Sequence, residues 1–410
     1  MNSQAVLRSV AILVVVSCTA SETPPLRTST PSSTATPVVV ETPAPSASAS
    51  PTTEPVPSLH VTALGQVRGN WLFYGVSIPR SARGRYEIQV IAVPLAGGAA
   101  KGVITYDAPM GGVPEGIFDS TPYLRRQFSP DGMHMVFSID GQIVVIDLVT
   151  GQAKPLGVSG YFPSWSKDGS QIAFLFEKPV ADVVPPLDAI AVIPVTGGAP
   201  RELTVVGYLR QPVEWSPDGS KILFGYNDGT ATLDVASGRV LNTIAATPPA
   251  VASFGQWRVG RPELAVATVS CTQASSRIVT MDDAVAPVRT LVEQSGPCGL
   301  QQFRDPRWNP AGGSELLYVT ARSSPGVEPS DYETHVFDTA TGKDTRLPLS
   351  AYEATWSWDG SAVAYLAKNA DARLGSAVRV WKRDGSGEIE LRRVTPLLGE
   401  QFFSIASVTY

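Results

Sequence analysis

Short apolar runs recur along the chain from about residue 61 onward, separated by segments rich in Gly, Pro, Asp and Ser. Five of these runs consist of two non-aromatic apolar residues followed by an aromatic residue: 135–137, 172–174, 222–224, 316–318 and 363–365. Runs this short, bounded by turn residues, are typical of β-strands rather than helices. The pattern therefore predicts an all-β fold made of many short strands.

An aromatic residue and a tight turn precede these runs at repeated intervals. The clearest copy is Trp-Ser-Pro-Asp-Gly at 215–219; related copies begin at Phe128, Trp165 and Trp356, and looser ones at Trp257 and Trp308. Successive aromatics are 37, 50, 42, 51 and 48 residues apart. Each is followed seven residues later, or eight in the copy at Trp308, by a large apolar residue: Met135, Ile172, Ile222, Leu264, Leu316 and Val363.

The repeat describes two hairpins in succession. Ser-Pro-Asp-Gly suits a type I turn, because Pro presets φ, Ser and Asp form local hydrogen bonds, and Gly accepts the last position. A second glycine turn follows the next strand, as Asp-x-x-Thr/Ser-Gly at 147–151, 234–238 and 338–342, and as paired glycines at 97–98 and 197–198. Four strands joined in this way form one propeller blade.

This combination of Trp-Ser-Pro-Asp-Gly, an apolar strand and Asp-x-x-Thr-Gly resembles the repeat of TolB-type, WD-repeat-like β-propellers. The resemblance covers nearly all of residues 61–410 and implies a propeller of four-stranded blades. Its repeat residues are turn and packing residues, so it is specific for architecture. Two departures stand out: the copy at Trp257 has lost its turn sequence, and 103–122 has the composition of a loop insertion.

Seven blades are predicted from the two ends of this region. Residues 71–75 and 88–93 have the pattern of a second and third strand with no inner strand before them. Residues 402–407 have the pattern of an inner strand with no followers. Pairing the two ends would close the ring and leave few free strand edges. Six blades is the alternative, with 71–93 added to another blade.

The N-terminus carries the features of an export signal. Arg8 precedes the apolar run Val10–Val16, which is shorter than the roughly 20 residues that span a bilayer. The run ends in Val-Val-Ser-Cys at 15–18, which resembles a bacterial lipobox and predicts lipidation of Cys18. The alternative is an ordinary signal peptide with an incidental cysteine.

The remaining domain boundaries follow from composition. Residues 1–17 are assigned to the signal peptide, 18–60 to the lipidated Cys and a Ser/Thr/Pro linker expected to be disordered, and 61–410 to the propeller. The propeller region contains two cysteines, Cys271 and Cys298. In an exported domain such a pair is most simply a disulfide; two buried thiols or half of a metal site are the alternatives.

No motif of a known catalytic or cofactor site occurs: there is no nucleophile elbow, His-Glu-x-x-His, P-loop or dinucleotide fingerprint. The three histidines are His60, His134 and His335, and no metal site is predicted from them. The repeated aspartates are assigned to turn capping and the tryptophans to packing between blades. The sequence thus predicts a protein that is not an enzyme and needs no cofactor or metal.

Binding is predicted at the mouth of the central channel, because functional residues concentrate on loops held by a rigid scaffold. The residues that enter the inner strands form a polar, aromatic and partly cationic set: Arg125, Arg126, Tyr161, Arg210, Arg304, Asp305, Tyr352 and Glu353. The TolB resemblance implies a scaffold that binds an envelope protein. The alternative is envelope carbohydrate or a small anionic solute, with lyase or hydrolase activity as its extension.

The expected location is the outer side of the cytoplasmic membrane, at the cell surface or in the periplasm, with contact to the membrane through the lipid anchor only. A net charge of -5 without clustered Lys and Arg argues against a nucleic-acid partner.

Overall fold

The structure is a computed structural model, and its description covers a defined part of the chain. The described residues are 59–65, 70–80, 85–95, 98–109, 125–180, 183–207, 213–226, 229–244, 250–252, 255–270, 275–282, 287–295, 303–322, 331–351, 353–367, 377–393 and 401–409. The predicted signal peptide, the lipidation at Cys18 and the Cys271–Cys298 disulfide lie outside these residues and stay predictions. Among the described residues, no helix has the length and hydrophobicity needed to cross a bilayer.

The described strands form seven antiparallel sheets, which are the blades of a β-propeller. Blade 1 consists of β1 (His60–Val61), β2 (Asn70–Arg80), β3 (Arg85–Pro94), β4 (Lys101–Pro109) and β29 (Gln401–Thr409). Blade 2 consists of β5 (His134–Ile139), β6 (Gln142–Asp147) and β7 (Ala153–Ser159), with Phe128 bridged to Met135 on its inner edge. Blade 3 consists of β8 (Tyr161–Trp165), β9 (Gln171–Val180), β10 (Val183–Pro194) and β11 (Arg201–Gly207).

The other four blades follow in chain order. Blade 4 consists of β12 (Glu214–Trp215), β13 (Lys221–Tyr226), β14 (Gly229–Asp234) and β15 (Val240–Ile244). Blade 5 consists of β16 (Ala250–Ala252), β17 (Gln256–Trp257), β18 (Glu263–Ser270), β19 (Ser275–Asp282) and β20 (Pro287–Ser295). Blade 6 consists of β21 (Phe303–Trp308), β22 (Glu315–Arg322), β23 (Asp331–Asp338) and β24 (Lys343–Arg346). Blade 7 consists of β25 (Glu353–Trp356), β26 (Ala362–Ala367), β27 (Ala377–Lys382) and β28 (Gly387–Arg393).

The repeat register seen in the sequence is the hairpin register of the inner two strands. In every blade from 2 to 7, the aromatic residue pairs directly with the large apolar residue seven or eight positions later; Trp215 with Ile222 and Trp308 with Leu316 are examples. Both members of each pair are buried. The predicted all-β propeller and its seven blades are confirmed.

The ring closes by pairing the two ends of the propeller region. β29 runs antiparallel to β2, with Ile405 opposite Tyr74 and Ala406 opposite Phe73. β29 is thus the inner strand that β2 and β3 lack, as the pattern at 402–407 predicts. The expected loop at 103–122 is partly wrong, because residues 101–109 form β4. Alternation in Gly-Val-Ile-Thr-Tyr carries a strand signal that the flanking glycines obscure; 110–122 lie outside the described residues.

The hydrophobic core is divided among the interfaces between blades. Seven buried clusters occur in the described part, and each combines residues of two consecutive blades, including blades 7 and 1. Trp165 of blade 3 packs with Val136 and Ile143 of blade 2. The indole N–H of Trp215 also donates to the carbonyl oxygen of Ser164 in blade 3, at 3.1 Å. The tryptophans therefore pack between blades, as predicted.

Polar contacts on the outer strands connect the same interfaces. Three cations near the start of an outer strand donate to the glycine turn of the next blade. These contacts join Lys154 to Thr196 O (2.7 Å), Arg201 to Val235 O (2.8 Å) and Arg289 to Thr339 O (2.9 Å). The turns themselves fit closely: Gly238 has φ +68, and a Cβ there would lie 2.5 Å from the carbonyl oxygen of Leu203.

The Ser-Pro-Asp-Gly turns are closed by a repeated set of hydrogen bonds. In blade 4, Ser216 Oγ donates to Asp218 at 2.6 Å and accepts from the backbone N–H of Lys221 at 2.9 Å. Asp218 also accepts from the N–H of Ser220 at 3.1 Å. The same bonds recur around Asp131, Asp168 and Asp359, which confirms the turn-capping role of these aspartates.

Blade 5 keeps this turn with different chemistry. Arg258 takes the serine position after Trp257, and its guanidinium donates to Glu263 at 2.6 Å and to the carbonyl oxygen of Gly313 in blade 6. The guanidinium carbon also lies 4.6 Å from the ring centre of Trp308. An ion pair thus replaces the Ser–Asp bonds, which explains the altered sequence at this copy.

Removing residues 401–410 is expected to prevent cooperative folding of the ring. The deletion takes away the inner strand of blade 1 and exposes the edge of β2 together with the cores shared with blades 7 and 2. Thermal unfolding followed by circular dichroism, with limited proteolysis, measures the effect. Removing residues 1–58 is the control and should leave the melting temperature within a few degrees of the full chain. An unchanged melting temperature in the C-terminal deletion would contradict the closure.

Acid is expected to weaken the turns. Hydrogen bonds from Ser166 and Ser216 lower the pKa of Asp168 and Asp218. Because the folded pKa lies below the unfolded one, the stabilisation is present above the unfolded pKa, near 4, and is lost as the pH falls through the folded pKa. Replacing Asp218→Asn should cost about 0.5–1 kcal/mol at pH 7 and reduce the loss between pH 4 and pH 2. Urea unfolding at pH 7, pH 4 and pH 2 tests this, with Glu177→Gln as the control. If Asp218→Asn loses as much free energy of unfolding between pH 4 and pH 2 as the unaltered protein does, the prediction is wrong.

Candidate functional site

A cavity of about 310 Å³ opens at the centre of the ring, on the face that carries the Ser-Pro-Asp-Gly turns. Its walls come from blades 2 to 7, which places it on the ring axis. The volume lies at the lower end of the range of about 300–1,000 Å³ that small-ligand sites occupy. We call this cavity the channel mouth.

Two positions of the repeat supply about half of the lining residues. The residue before each aromatic faces the centre in blades 3 to 7: Ser164, Glu214, Gln256, Arg307 and Thr355. The second residue after the aromatic forms the outer collar: Pro130, Lys167, Pro217, Val259 and Trp358. Successive side chains point to opposite faces of a strand. When the aromatic is buried on one face of the blade, the side chain before it is therefore free to face the central cavity. The residues before the aromatics are all polar, and this recurring polar position is the feature of the sequence from which these lining residues could be predicted.

The lining is strongly cationic. Among the described residues, it contains the basic residues Arg125, Arg126, Lys167, Arg258 and Arg307 and one carboxylate, Glu214. The chain as a whole has a net charge of -5, so the positive charge is a property of this site and not of the protein. Walls of protein around such charges reduce solvent screening and strengthen their interaction with an anion.

An ion pair joins two blades across the channel mouth. Arg126, in a short helical turn of blade 2, donates to the carboxylate of Glu214 in blade 4, and to the carbonyl oxygen of Gly255 in blade 5 at 3.2 Å. The two side chains are 9% and 7% exposed. Because both charges are buried, their attraction is screened less by solvent than that of an exposed pair.

Arg125 and Lys167 lie above this pair. Burial lowers the pKa of Arg125 to about 10, with Glu214 opposing the shift and Arg307 adding to it, so Arg125 stays protonated at neutral pH. The surrounding walls lower the pKa of Lys167; Glu214 opposes this, and Arg125 and Arg126 add to it. Lys167 is exposed at the mouth, so solvent limits its shift. No salt bridge joins Lys167 to any described carboxylate. The guanidinium carbon of Arg125 lies 5.2 Å from the ring centre of Trp358.

The predicted rim residues separate into three groups. Arg125 and Arg126 line the channel mouth. Tyr161 and Glu353 do not: the hydroxyl of Tyr161 donates to Asp188 within blade 3, and Glu353 is buried at the start of β25. The backbones of Arg304 and Asp305 lie in β21, while Arg210 and Tyr352 lie outside the described residues.

Tyr161 and Glu353 miss the mouth for a geometric reason. They enter their inner strands at the end away from the Ser-Pro-Asp-Gly turns, whereas the channel mouth is at the turn end. Arg125 and Arg126 reach it because blade 2 has only a single bridge, at Phe128, in place of a full inner strand. In blades 3 to 7, the inner-strand residue that lines this cavity is the one just before the aromatic, at the turn end of the strand, and not the residue at which the strand begins.

The histidines lie away from the channel mouth. His60 is in β1, paired opposite Thr105, and His134 begins β5. His335, in β23, stacks on Tyr318 at 5.0 Å between ring centres and lies 3.1 Å from Asp344, which raises its pKa. In the described part of the chain, no group of three or more His, Cys, Asp or Glu residues is arranged to hold a metal ion.

Comparisons with known proteins agree on the fold. No family profile and no curated protein matches the chain. Similar solved structures include a puromycin-hydrolyzing peptidase of Mycobacterium tuberculosis (18% identity, TM-score 0.52, 78% of this chain and 53% of that one). A periplasmic gluconolactonase of Pseudomonas aeruginosa is also similar, with 16% identity and a TM-score of 0.50 over 82% of this chain and 99% of that one. TolB of Acinetobacter baumannii has 15% identity and a TM-score of 0.43 over 82% of this chain and 67% of that one. The expected likeness to TolB is therefore found, and at these identities it concerns the fold alone.

The expectation that the chain is not an enzyme is wrong, because it does not follow from the absence of motifs. Structures of the same fold include a peptidase and a gluconolactonase, so the fold does not separate enzymes from binding proteins. The expectation rested on contiguous motifs. In a propeller, residues of one site come from separate blades, as Arg126, Glu214 and Arg307 do here, and no contiguous motif records them.

Breaking the buried ion pair is expected to destabilise the ring. Arg126→Met removes the cation that is hydrogen-bonded to the buried Glu214 carboxylate, at a cost of about 3 kcal/mol in the free energy of unfolding. The double variant Arg126→Met/Glu214→Leu should be less destabilised than the sum of the single variants, measured by urea unfolding. Lys178→Met, which breaks an exposed pair with Glu202, is the control and should cost under about 1 kcal/mol. Additive effects of the two buried substitutions would contradict the coupling.

Proposed function

We propose that this protein is an extracytoplasmic binding protein that holds an anionic ligand in the channel mouth. The single observation that carries the proposal is the gathering of five basic side chains and one carboxylate, among the residues that the structure describes, around one walled cavity. A small anion would meet a positive potential there that the rest of a mildly acidic protein does not offer.

Lys167 and Arg125 are the residues through which the ligand would be bound. Glu214 already pairs with Arg126, deeper in the channel. Lys167 is exposed at the mouth and has no ion-pair partner among the described residues, so its ammonium group is available to an incoming anion. Arg125 stays charged beside it. Burial is the main cause of the lowered pKa of Lys167 and the nearby Arg125 adds to it, so a bound negative charge would favour the charged form of Lys167.

A partner protein could supply the anion as well as a small solute could. An acidic segment presented to the channel mouth would meet the same basic residues, and the exposed side chains of Val259 and Trp358 would offer it apolar contact. This is how the protein-interaction scaffold implied by the TolB resemblance would use the site.

The proposed location rests on the N-terminus. An apolar run followed by Val-Val-Ser-Cys supports export and a lipid anchor on Cys18. The similar gluconolactonase is described as periplasmic, which is consistent with a propeller that works outside the cytoplasm. A predicted Pro-rich linker at 18–60 would hold the ring away from the membrane.

Anion binding is expected to depend on Lys167. Titration calorimetry of the full chain with citrate and succinate, at low salt, should show binding that weakens as salt is added, and no binding of succinamide. Lys167→Glu should weaken the affinity at least tenfold, which corresponds to about 1.4 kcal/mol. The control Lys343→Glu changes an exposed lysine on β24, away from the mouth, by the same charge. The proposal fails if no anion binds, or if both variants lose affinity equally.

A further inference from the structure

The channel mouth has two layers of different polarity. The floor contains polar side chains that are almost completely buried: Ser164 at 2% exposed, Thr355 at 2%, Glu214 at 5% and Arg307 at 6%. The collar around it contains Pro130, Pro217, Val259 and Trp358, interrupted by Lys167. A ligand that enters this mouth therefore meets apolar surface on the outside and charge below.

Two of the collar side chains are unusually exposed for their type. Val259 is 53% exposed and Trp358, which lies in a turn, is 36% exposed. The described tryptophans that end inner strands are at most 5% exposed. Trp358 takes the position that Pro has in the turns of blades 2 and 4, so packing between blades does not require it. Single exposed apolar residues need no explanation, but two at the rim of one cationic cavity point to an apolar part of the ligand.

Arg125 connects the two layers. Its guanidinium lies over the ring of Trp358, which keeps the indole beside the basic residues instead of turned out to solvent. Arg125 belongs to blade 2 and Trp358 to blade 7, so the contact spans the rim above blade 1. One face of the indole is thus held by a cation, and the ring forms a flat wall at the entrance.

We propose that the ligand is an amphipathic acid: a carboxylate joined directly to a flat or branched apolar group. This inference rests on the proposed function and specifies its ligand. The carboxylate would lie between Lys167 and Arg125, and the apolar group would cover Trp358 and Val259. Burying these collar side chains adds affinity in proportion to the apolar area removed from water, whereas a purely polar anion would leave them exposed.

The cavity favours this ligand over a densely charged one. A volume of about 310 Å³ accommodates a carboxylate with one ring or one branched side chain. Glu214 beneath the site repels a second negative charge placed near the floor. Two sources share the required chemistry: a free aromatic or branched-chain acid, and the C-terminal carboxylate of a chain that ends in an apolar residue.

The test compares probes that differ in one feature. Titration calorimetry of the full chain would use acetate, phenylacetate and phenylacetamide, together with the peptide N-acetyl-Ala-Phe bearing either a free carboxylate or an amide. Phenylacetate is expected to bind at least tenfold more tightly than acetate, and both amides are expected to lose at least tenfold relative to their acids. Tighter binding of the acidic peptide than of phenylacetate would support the inference and identify a chain terminus as the source; the reverse would support it and identify a small acid.

Variants assign the apolar contribution to the collar. Trp358→Ala should remove most of the advantage of phenylacetate over acetate, measured as the ratio of the two affinities in the same variant, because the ring that the apolar group would cover is gone. Val259→Ala should reduce the same advantage by less. Val288→Ala is the matched control: it shortens another exposed valine, 66% exposed, which lies on β20 outside the channel mouth, and it should change neither affinity.

The outcomes separate this inference from the proposed function. If citrate, succinate and acetate bind but phenylacetate binds no more tightly than acetate, the apolar part of the ligand is refuted and anion binding stands. Equal binding of phenylacetate by Trp358→Ala and the unaltered protein would also overturn the inference. If none of the anions binds, the proposed function fails and the inference fails with it.

Discussion

The fold depends on burial of the aromatic residue that ends each inner strand. A four-stranded sheet has two faces, and a single blade covers neither of them. Here Trp165 is buried among residues of blade 2, and Trp356 among residues of blade 6, while the Trp356 indole N–H donates to the carbonyl oxygen of Arg307 at 3.0 Å. Every blade is stabilised by the next, so the ring must close, and pairing of β29 with β2 completes the sheet of blade 1, which packs against blades 7 and 2.

The same constraint fixes what faces the channel. With the aromatics directed into the interfaces, the residues just before them are directed to the axis, where seven blades leave more room than apolar side chains fill. Polar residues occupy these positions in blades 3 to 7, and the Arg126–Glu214 pair crosses the remaining space. The channel mouth is therefore a consequence of packing at the blade interfaces, and its chemistry is set by residues that packing leaves unconstrained.

That freedom makes the site informative about function. Turn and interface residues repeat because the fold requires them, whereas Lys167 and Trp358 replace the turn proline at positions where the fold accepts several residue types. Arg258 differs from both. It lines the mouth, but its bonds to Glu263 and Gly313 give it a structural role in the turn of blade 5. Lys167 and Trp358, which the turns do not require, therefore form a basic and partly apolar site, whereas Arg258 belongs to the structure of its turn.

The sequence by itself determined the class of fold, the hairpin register and the number of blades, because these depend on local turn chemistry and on spacings that recur. Trp215 and Ile222 could be paired from their separation alone. The tertiary structure decided which residues meet on the axis. Arg126 and Glu214 are 88 residues apart and come together only when blades 2 and 4 take their places in the ring. It also decided that Tyr161 and Glu353 lie away from the mouth, because the end of the inner strand that faces this cavity depends on how seven separate hairpins close around one axis.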